Sequence, residues 1–149
     1  MPSQEYESVS LNTPVAKVMS VQPVVGNQFH NLSQVMKLFA EYPLHHLPIV
    51  DGQGKLIGIV SSNDLPKTFL RLCDTPNKPA MTIDDLDRAV NIVDIMTKDP
   101  ITIAADNSIG DAAKLFAQNK FASLPVVENG KLVGILSIKD VVANLVDQL

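Results

Sequence analysis

The chain has 149 residues, enough for one compact domain or two small paired ones, and 46 % of them are hydrophobic. Aromatic residues make up only 5 % and tryptophan is absent, so the sequence predicts an aliphatic core and no aromatic platform for single-stranded nucleic acid. A net charge of −4 likewise argues against long-range attraction to nucleic acid or anionic membranes.

The sequence shows no targeting or membrane-spanning pattern. Residues 1–13 are polar and unlike a signal peptide, and no apolar stretch approaches the roughly 20 residues needed to cross a bilayer. The single cysteine, Cys73, cannot form an internal disulfide, and we interpret it as a small packed hydrophobe rather than a nucleophile or sensor thiol. These features predict a flexible lead over residues 1–13 and a cytoplasmic protein.

Short elements follow one another in the first half of the chain. Pro14 suits a first helical position, and the apolar spacing after Asn31 is that of an amphipathic helix. The predicted elements are a helical turn at 14–19, a strand at Val24-Val25, a helix at 32–42, hairpin strands at 47–50 and 56–60, and a helix at 62–72.

The second half of the chain repeats the first. Met19–Gly52 aligns with Met96–Asn129, and after a one-residue deletion Gly54–Asp64 aligns with Gly130–Asp140. The second copy predicts a turn at 92–96, a strand at 101–103, a helix at 108–119 capped by Ser108, hairpin strands at 124–127 and 132–136 around Asn129-Gly130, and a helix at 138–147.

This duplication predicts an α/β (α+β) fold of two β-α-β-β-α repeats related by a pseudo-two-fold axis and packed through their small sheets. The repeats are expected at 14–73 and 92–149, with a linker at 74–91. That linker is long for a structureless loop, so part of it is expected to extend the preceding helix or form another turn. Any ligand should bind in the clefts between the repeats.

The repeated motifs resemble the cystathionine-beta-synthase (CBS) domain family, whose paired repeats form a Bateman module. They are Met19-Ser20-x-x-Pro23 and Met96-Thr97-x-x-Pro100, Leu47-Pro48-Ile49-Val50-Asp51 and Leu124-Pro125-Val126-Val127-Glu128, and Gly58-Ile59-Val60-Ser61-Ser62-Asn63-Asp64 and Gly134-Ile135-Leu136-Ser137-Ile138-Lys139-Asp140. The resemblance covers about residues 14–147. It implies adenosine-containing ligands such as AMP, ADP, ATP, S-adenosylmethionine or NAD, a homodimer, and a conformational signal to an enzyme or transporter partner in trans.

Ser61-x-x-Asp64 and Ser137-x-x-Asp140 are the main candidate binding motifs. Each follows a predicted strand and opens a helix, where free backbone N–H groups and the helix dipole favour an anionic phosphate. The serine hydroxyl can join that cradle and the carboxylate can accept both hydroxyls of a ribose, which is the role that the family resemblance implies. The same spacing also describes a capping box that only closes the helix start, and both interpretations can hold together.

Other candidate ligand-binding residues flank these motifs. The resemblance implies that Val24, Val25, Ile101 and Thr102 border the purine, although core packing is the plainer interpretation of the apolar ones. His45 and His46, with Ser123 as the counterpart of His46, occupy a position that in the family points toward the phosphates, while a histidine pair is also common in a solvated loop. Lys139 and its counterpart Asn63 lie inside the two Ser-x-x-Asp motifs.

The sequence offers little for catalysis or metal binding. It contains no Walker loop, nucleophile elbow or dinucleotide-binding glycine motif, and its three histidines lack metal-ligand spacing. We therefore expect a non-enzymatic regulatory sensor that needs no cofactor, has an adenine nucleotide or related adenosyl ligand as effector, and binds neither nucleic acid nor membrane. The alternative is a structural dimerisation module whose clefts stay empty; the missing hydroxyl at Val25 and the missing basic group at Ala122 favour it.

Overall fold

A computed structural model describes residues 9–74 and 81–149 of the chain. The described residues fall into two compact units. Unit 1 contains residues 9–22, 102–128 and 133–149, and unit 2 contains 23–74, 81–101 and 129–132. Each unit therefore combines the body of one sequence repeat with the opening segment of the other repeat.

Unit 2 is built on the first repeat. Its four-stranded sheet has the order β2-β3-β4-β5, in which β2 and β3 are parallel and the other neighbours are antiparallel. The strands are β2 (Gly26–Asn27), β3 (His46–Val50), β4 (Leu56–Ser61) and β5 (Thr97–Lys98), and the helices are α1 (Leu32–Glu41), α2 (Asp64–Cys73), α3 (Ile83–Ala89) and α4 (Ile92–Ile95).

Unit 1 has the same plan on the second repeat. Its sheet order is β1-β8-β7-β6, with β6 and β7 parallel and β1 antiparallel to β8. The elements are a 3-10 turn (Val15–Lys17), β1 (Ser20–Val21), β6 (Ile103–Ala104), α5 (Ile109–Gln118), β7 (Ser123–Glu128), β8 (Lys131–Ser137) and α6 (Ile138–Asp147); Lys131 and Leu132 of β8 group with unit 2.

Each unit has its own aliphatic core, and both cores need residues from the two repeats. In unit 2 the fully buried Leu47 and Ile49 pack in one cluster with Ile92 and Met96, from the opening segment of the second repeat. In unit 1 the fully buried Val15, from the opening segment of the first repeat, packs with Leu124 and other residues of the second. The prediction of an aliphatic core is confirmed in both units.

Local sequence signals fix several boundaries. Ser108 caps α5 by accepting a hydrogen bond from the Asp111 backbone N–H at 3.1 Å, as its spacing predicts. Asn129 and Gly130 both have positive φ angles, 51° and 78°, which is the geometry of a type I′ hairpin turn. Gly54 closes the other hairpin with φ near 80°.

Two boundaries differ from the sequence-based expectation. Val24 and Val25 do not form a strand, because the ladder with β3 begins only at Gly26, opposite Ile49. Ile101 and Thr102 likewise precede β6, whose pairing with β7 begins at Ile103. Pairing with a neighbouring strand sets these starts, and the local apolar pattern does not reveal it.

Segments outside the two predicted repeats also contribute to the units. Leu11 and Thr13, in the expected lead, accept backbone hydrogen bonds of 2.9 Å from Gly110 and Ile109 at the start of α5. The expected linker contains α3, which begins at Ile83, and its residues 75–80 lie outside the described part of the chain. Within the two described ranges, no helix has the length and apolar character that crossing a membrane requires.

Candidate functional site

We call the junction of strand and helix at each Ser-x-x-Asp motif a corner. The Ser137-x-x-Asp140 corner, where β8 meets α6, forms a complete capping box. The Ser137 hydroxyl accepts a hydrogen bond from the Asp140 N–H at 3.0 Å, and Asp140 Oδ2 accepts one from the Ser137 N–H at 2.9 Å. The capping interpretation is thus confirmed here. Because a carboxylate offers about four acceptor positions, Asp140 retains capacity for two further donors such as ribose hydroxyls.

The Ser61-x-x-Asp64 corner is capped on one side only. Asp64 Oδ2 accepts a hydrogen bond from the Ser61 N–H at 2.9 Å, while Asn63, the cap residue of α2, makes no side-chain capping bond. Helix α2 begins at Asp64, later than expected, since Ser61 still pairs with His46 in the sheet and the Ser62 N–H donates to the His45 carbonyl at 2.9 Å. The Ser61 hydroxyl is therefore not committed to capping α2.

A backbone hydrogen bond joins each corner to the residue just before the first strand of its hairpin, β3 in unit 2 and β7 in unit 1. The Ser62 N–H donates to the His45 carbonyl in unit 2, and the Ile138 N–H donates to the Ala122 carbonyl in unit 1, both at 2.9 Å. The link brings His46 beside the first corner. In the same way, Ser123 follows Ala122 beside the second corner.

His46 is half-buried in β3, and its environment favours the neutral ring. Burial lowers the pKa of His46, the neighbouring His45 lowers it further, and the Asp64 carboxylate acts in the opposite direction. His46 pairs with Ser61 in the sheet and the Ser61 N–H donates to Asp64, so His46 and Asp64 belong to one local cluster. An anion bound there would add to the effect of Asp64 and favour the imidazolium.

Asp140 also lines a cavity of about 220 Å³ in unit 1. One wall is the face of α6 whose residues follow Asp140 at spacings of three, four and seven. The other wall comes from the 3-10 turn that opens the first repeat and from the residue after it. The lining residues are Lys17, Val18, Asp140, Ala143, Asn144 and Asp147. The cavity therefore places an ammonium, an amide and two carboxylates around one space.

The remaining predicted site residues are more dispersed. Val24 packs against the core of unit 2, as the core-packing interpretation requires, whereas Ile101 is 47 % exposed. Val25 and Thr102 are half-buried outside the strands. His45, Asn63 and Lys139 are exposed at or next to the corners.

Sequence reasoning missed the other lining residues of the unit 1 cavity. Asn144 and Asp147 follow Asp140 at helical spacings, so a helical projection of α6 would have found them. Lys17 and Val18 carry no such signal. They line the same cavity as α6 only because the opening segment of the first repeat belongs to unit 1, which is a feature of tertiary structure.

Comparison with known proteins agrees with this architecture. A family model described as the CBS domain matches residues 15–70 and 92–147. The solved structure of CBSX2 in complex with AMP is similar with a TM-score of 0.73 and 28 % identity, covering 90 % of this chain and 96 % of that one. The CBS domain pair of MJ0100 in complex with 5′-methylthioadenosine and S-adenosyl-L-methionine gives 0.72 and 25 %, covering 92 % and 98 %.

Relatives by sequence include whole proteins of similar size and parts of larger enzymes. Uncharacterized protein MJ1426 of Methanocaldococcus jannaschii is 32 % identical over 146 residues, covering 84 % of this chain and 87 % of that protein. Inosine-5′-monophosphate dehydrogenase of Mycobacterium leprae is 32 % identical over 126 residues, covering 83 % of this chain but 21 % of the enzyme. The chain belongs to the CBS domain family and contains a pair of these repeats.

Proposed function

We propose that this chain is a regulatory sensor that binds an adenosine-containing ligand at its Ser-x-x-Asp corners. The single observation that carries the proposal is the Asp140 carboxylate, held in place by the Ser137 N–H while lining an open cavity. Structures of similar proteins, CBSX2 with AMP and the MJ0100 pair with 5′-methylthioadenosine and S-adenosyl-L-methionine, support this class of ligand.

Each candidate residue has a distinct role in this proposal. Asp64 and Asp140 accept the ribose hydroxyls in charge-assisted hydrogen bonds. The hydroxyls of Ser61 and Ser137, with the free N–H groups at the starts of α2 and α6, bind phosphate where the ligand has one. The residues proposed to border the ligand are Val24, Val25, Ile101 and Thr102 at the base, and His45, His46, Asn63, Ser123 and Lys139 near the phosphates.

The proposed output is a conformational signal and not a chemical reaction. A ligand shifts a protein between two states only by its differential affinity for them, so binding must favour one arrangement of the chain. A partner enzyme or transporter, acting in trans on a homodimer of this cytoplasmic chain, would read that arrangement. The effector is the only small molecule that this role requires, and no catalytic cofactor enters it.

Thermal unfolding with and without nucleotides tests the proposal. A ligand at 100 times its dissociation constant adds about 2.7 kcal/mol to the free energy of unfolding, enough to raise the midpoint by several degrees. We expect such a shift with at least one of AMP, ADP, ATP, NAD and S-adenosylmethionine. No shift with any of them at millimolar concentration would contradict the proposal and favour a structural dimerisation module.

A pair of aspartate variants separates binding from capping. Asp140→Ala should lower stability by about 0.5–1.5 kcal/mol, because the Ser137 N–H loses its acceptor while the Ser137 hydroxyl still caps α6, and should lower affinity by more than that loss explains. Asp106→Ala, at an exposed position in the same unit, is the matched control and should change neither quantity. An Asp140→Ala variant that retains full affinity would leave Asp140 with a purely structural role.

A further inference from the structure

The cavity beside α6 has a charge pattern that bears on which adenosyl ligand it accepts. Lys17 supplies one positive charge, and Asp140 and Asp147 supply two negative charges. Lys17 and Asp147 are exposed and Asp140 is half-buried, so all three remain accessible. The cavity lining is therefore net negative while retaining one cation.

Unit 2 carries a different set of charges at the corresponding positions. Asp94 corresponds to Lys17, Lys67 to Ala143, and Arg71 to Asp147, while Asp64 and Asp140 match. In the alignment, therefore, the corner aspartate is shared, two of the accompanying charges are reversed, and Lys67 adds a positive charge in unit 2. The inversion concerns the charges that would meet the part of a ligand beyond its ribose.

We infer that the unit 1 cavity is selective for an adenosyl ligand with a cationic, amino-acid-bearing 5′ substituent, as in S-adenosylmethionine, over one with phosphate groups. The inference rests on the proposed function, since it names the ligand class of the same Asp140 corner. Lys17 and Asp147 are the specificity-determining residues, and Asp140 is common to both ligand classes.

The charges of the two ligand classes explain the selectivity. Beyond the ribose, a sulfonium amino acid carries two positive charges and one carboxylate, so Asp147 can pair with its ammonium group and Lys17 with its carboxylate. A phosphate brings only negative charge, so its attraction to Lys17 is opposed by repulsion from Asp140 and Asp147. In unit 2, Lys67 and Arg71 replace Ala143 and Asp147 while Asp94 replaces Lys17, so with the corner aspartate these positions are neutral overall where those of unit 1 are net negative, and they should tolerate phosphate better.

Isothermal titration calorimetry on the full chain tests the inference. The Asp64→Asn substitution, kept in every sample, weakens the first corner so that the titration reports unit 1. The ligands are S-adenosylmethionine, AMP and 5′-methylthioadenosine, which has neither phosphate nor amino acid. We expect S-adenosylmethionine to bind at least tenfold more tightly than AMP, with 5′-methylthioadenosine between them.

A charge reversal supplies the decisive variant. Asp147→Arg installs the residue that the first repeat has at this position, and should cut the preference for S-adenosylmethionine over AMP at least tenfold. Asp106→Arg makes the same change of charge at an exposed residue outside the cavity lining and should leave the preference unchanged. If Asp147→Arg does not fold by circular dichroism, Asp147→Asn takes its place, with a smaller loss expected in the same direction.

The outcomes distinguish this inference from the proposed function. If AMP binds as tightly as S-adenosylmethionine, or if the substitution at 147 leaves their ratio unchanged, the selectivity is wrong while adenosine binding stands. If none of the three ligands binds either this background or the wild-type chain, the selectivity is wrong, and the proposed function fails with it when ADP, ATP and NAD also do not bind the wild-type chain. A tenfold preference that disappears only in the Asp147 variants supports the inference.

Discussion

At the scale of single residues, two glycines show how tightly the opening segment of each repeat packs against a strand of the other repeat. A β-carbon on Gly134 would lie 2.5 Å from the Met19 sulfur and 2.8 Å from the Ser20 carbonyl oxygen. One on Gly58 would collide with the Met96 side chain and lie 2.9 Å from the Thr97 carbonyl oxygen. The repeated Met and Gly of the two sequence halves therefore form one structural contact in each unit.

Replacing either glycine should destabilise its unit. Gly134→Ala and Gly58→Ala are each expected to cost about 1–3 kcal/mol, because backbone atoms as well as the methionine must move. Gly52→Ala is the control, since its added β-carbon meets nothing within 4 Å. Denaturant unfolding that gave the same stability for Gly134→Ala and Gly52→Ala would contradict this packing.

His46 makes stability depend on pH in a defined direction. Because burial lowers its native pKa below 6.5, the unfolded chain binds the proton more readily than the folded chain. Its stabilising contribution is complete above pH 6.5 and is lost as the pH falls through the lowered native value. Urea unfolding at several pH values should therefore show a weaker loss of stability on acidification in His46→Gln than in wild type.

At the scale of elements, the start of α1 and the start of α5 are covered by segments distant in sequence. Asp87 of α3 accepts hydrogen bonds from the Ser33 N–H at 2.8 Å and the Ser33 hydroxyl at 2.7 Å. At the corresponding place in unit 1, the Leu11 carbonyl accepts from Gly110. The carboxylate of α3 thus satisfies donors at the positive end of another helix.

Removing this carboxylate should loosen α3 from α1. Asp87→Ala leaves the Ser33 N–H without its partner, so we expect a loss of about 1–3 kcal/mol and faster amide exchange in α3. Asp84→Ala, on the exposed face of the same helix, should cost only a few tenths of a kcal/mol through the helix dipole. Equal effects of the two substitutions in hydrogen-exchange and denaturation experiments would refute the role of Asp87.

The sequence predicts an element correctly when residues close in the chain determine it, and less well when distant residues do. The capping of α5 by Ser108 and the turn at Asn129-Gly130 arise from neighbouring residues, and both predictions are confirmed. The strand expected at Val24-Val25 is wrong because strand pairing begins only at Gly26. The candidate corners were found from motif spacing, whereas Lys17 was missed because it precedes Asp140 by 123 residues (140 − 17) and approaches it only in the folded unit.

At the scale of the whole molecule, the compact units do not coincide with the sequence repeats. Four core residues of unit 2, Leu86, Val90, Ile92 and Met96, follow the first repeat in the chain. Val15, fully buried in unit 1, precedes the start of the second repeat by 77 residues (92 − 15), about half of the chain. Cutting the chain between the repeats would expose apolar surface in both cores.

Fragments should therefore fold according to units. A fragment of residues 23–101 contains the whole core cluster of unit 2, so we expect it to show cooperative unfolding by circular dichroism. A fragment of residues 14–73, the first sequence repeat, lacks those four residues and should unfold without a cooperative transition. Cooperative folding of the shorter fragment alone would contradict this assignment of the cores.

The most direct test of adenosine binding at the two corners is an amide chemical-shift titration of the ¹⁵N-labelled chain with AMP and with S-adenosylmethionine. The Ser61 and Ser137 N–H groups report on the two aspartates because they donate to Asp64 and Asp140. We expect saturable shifts at Ser137 with S-adenosylmethionine and at Ser61 with AMP. Saturable shifts confined to residues away from both corners, or none at millimolar ligand, would contradict the proposed function.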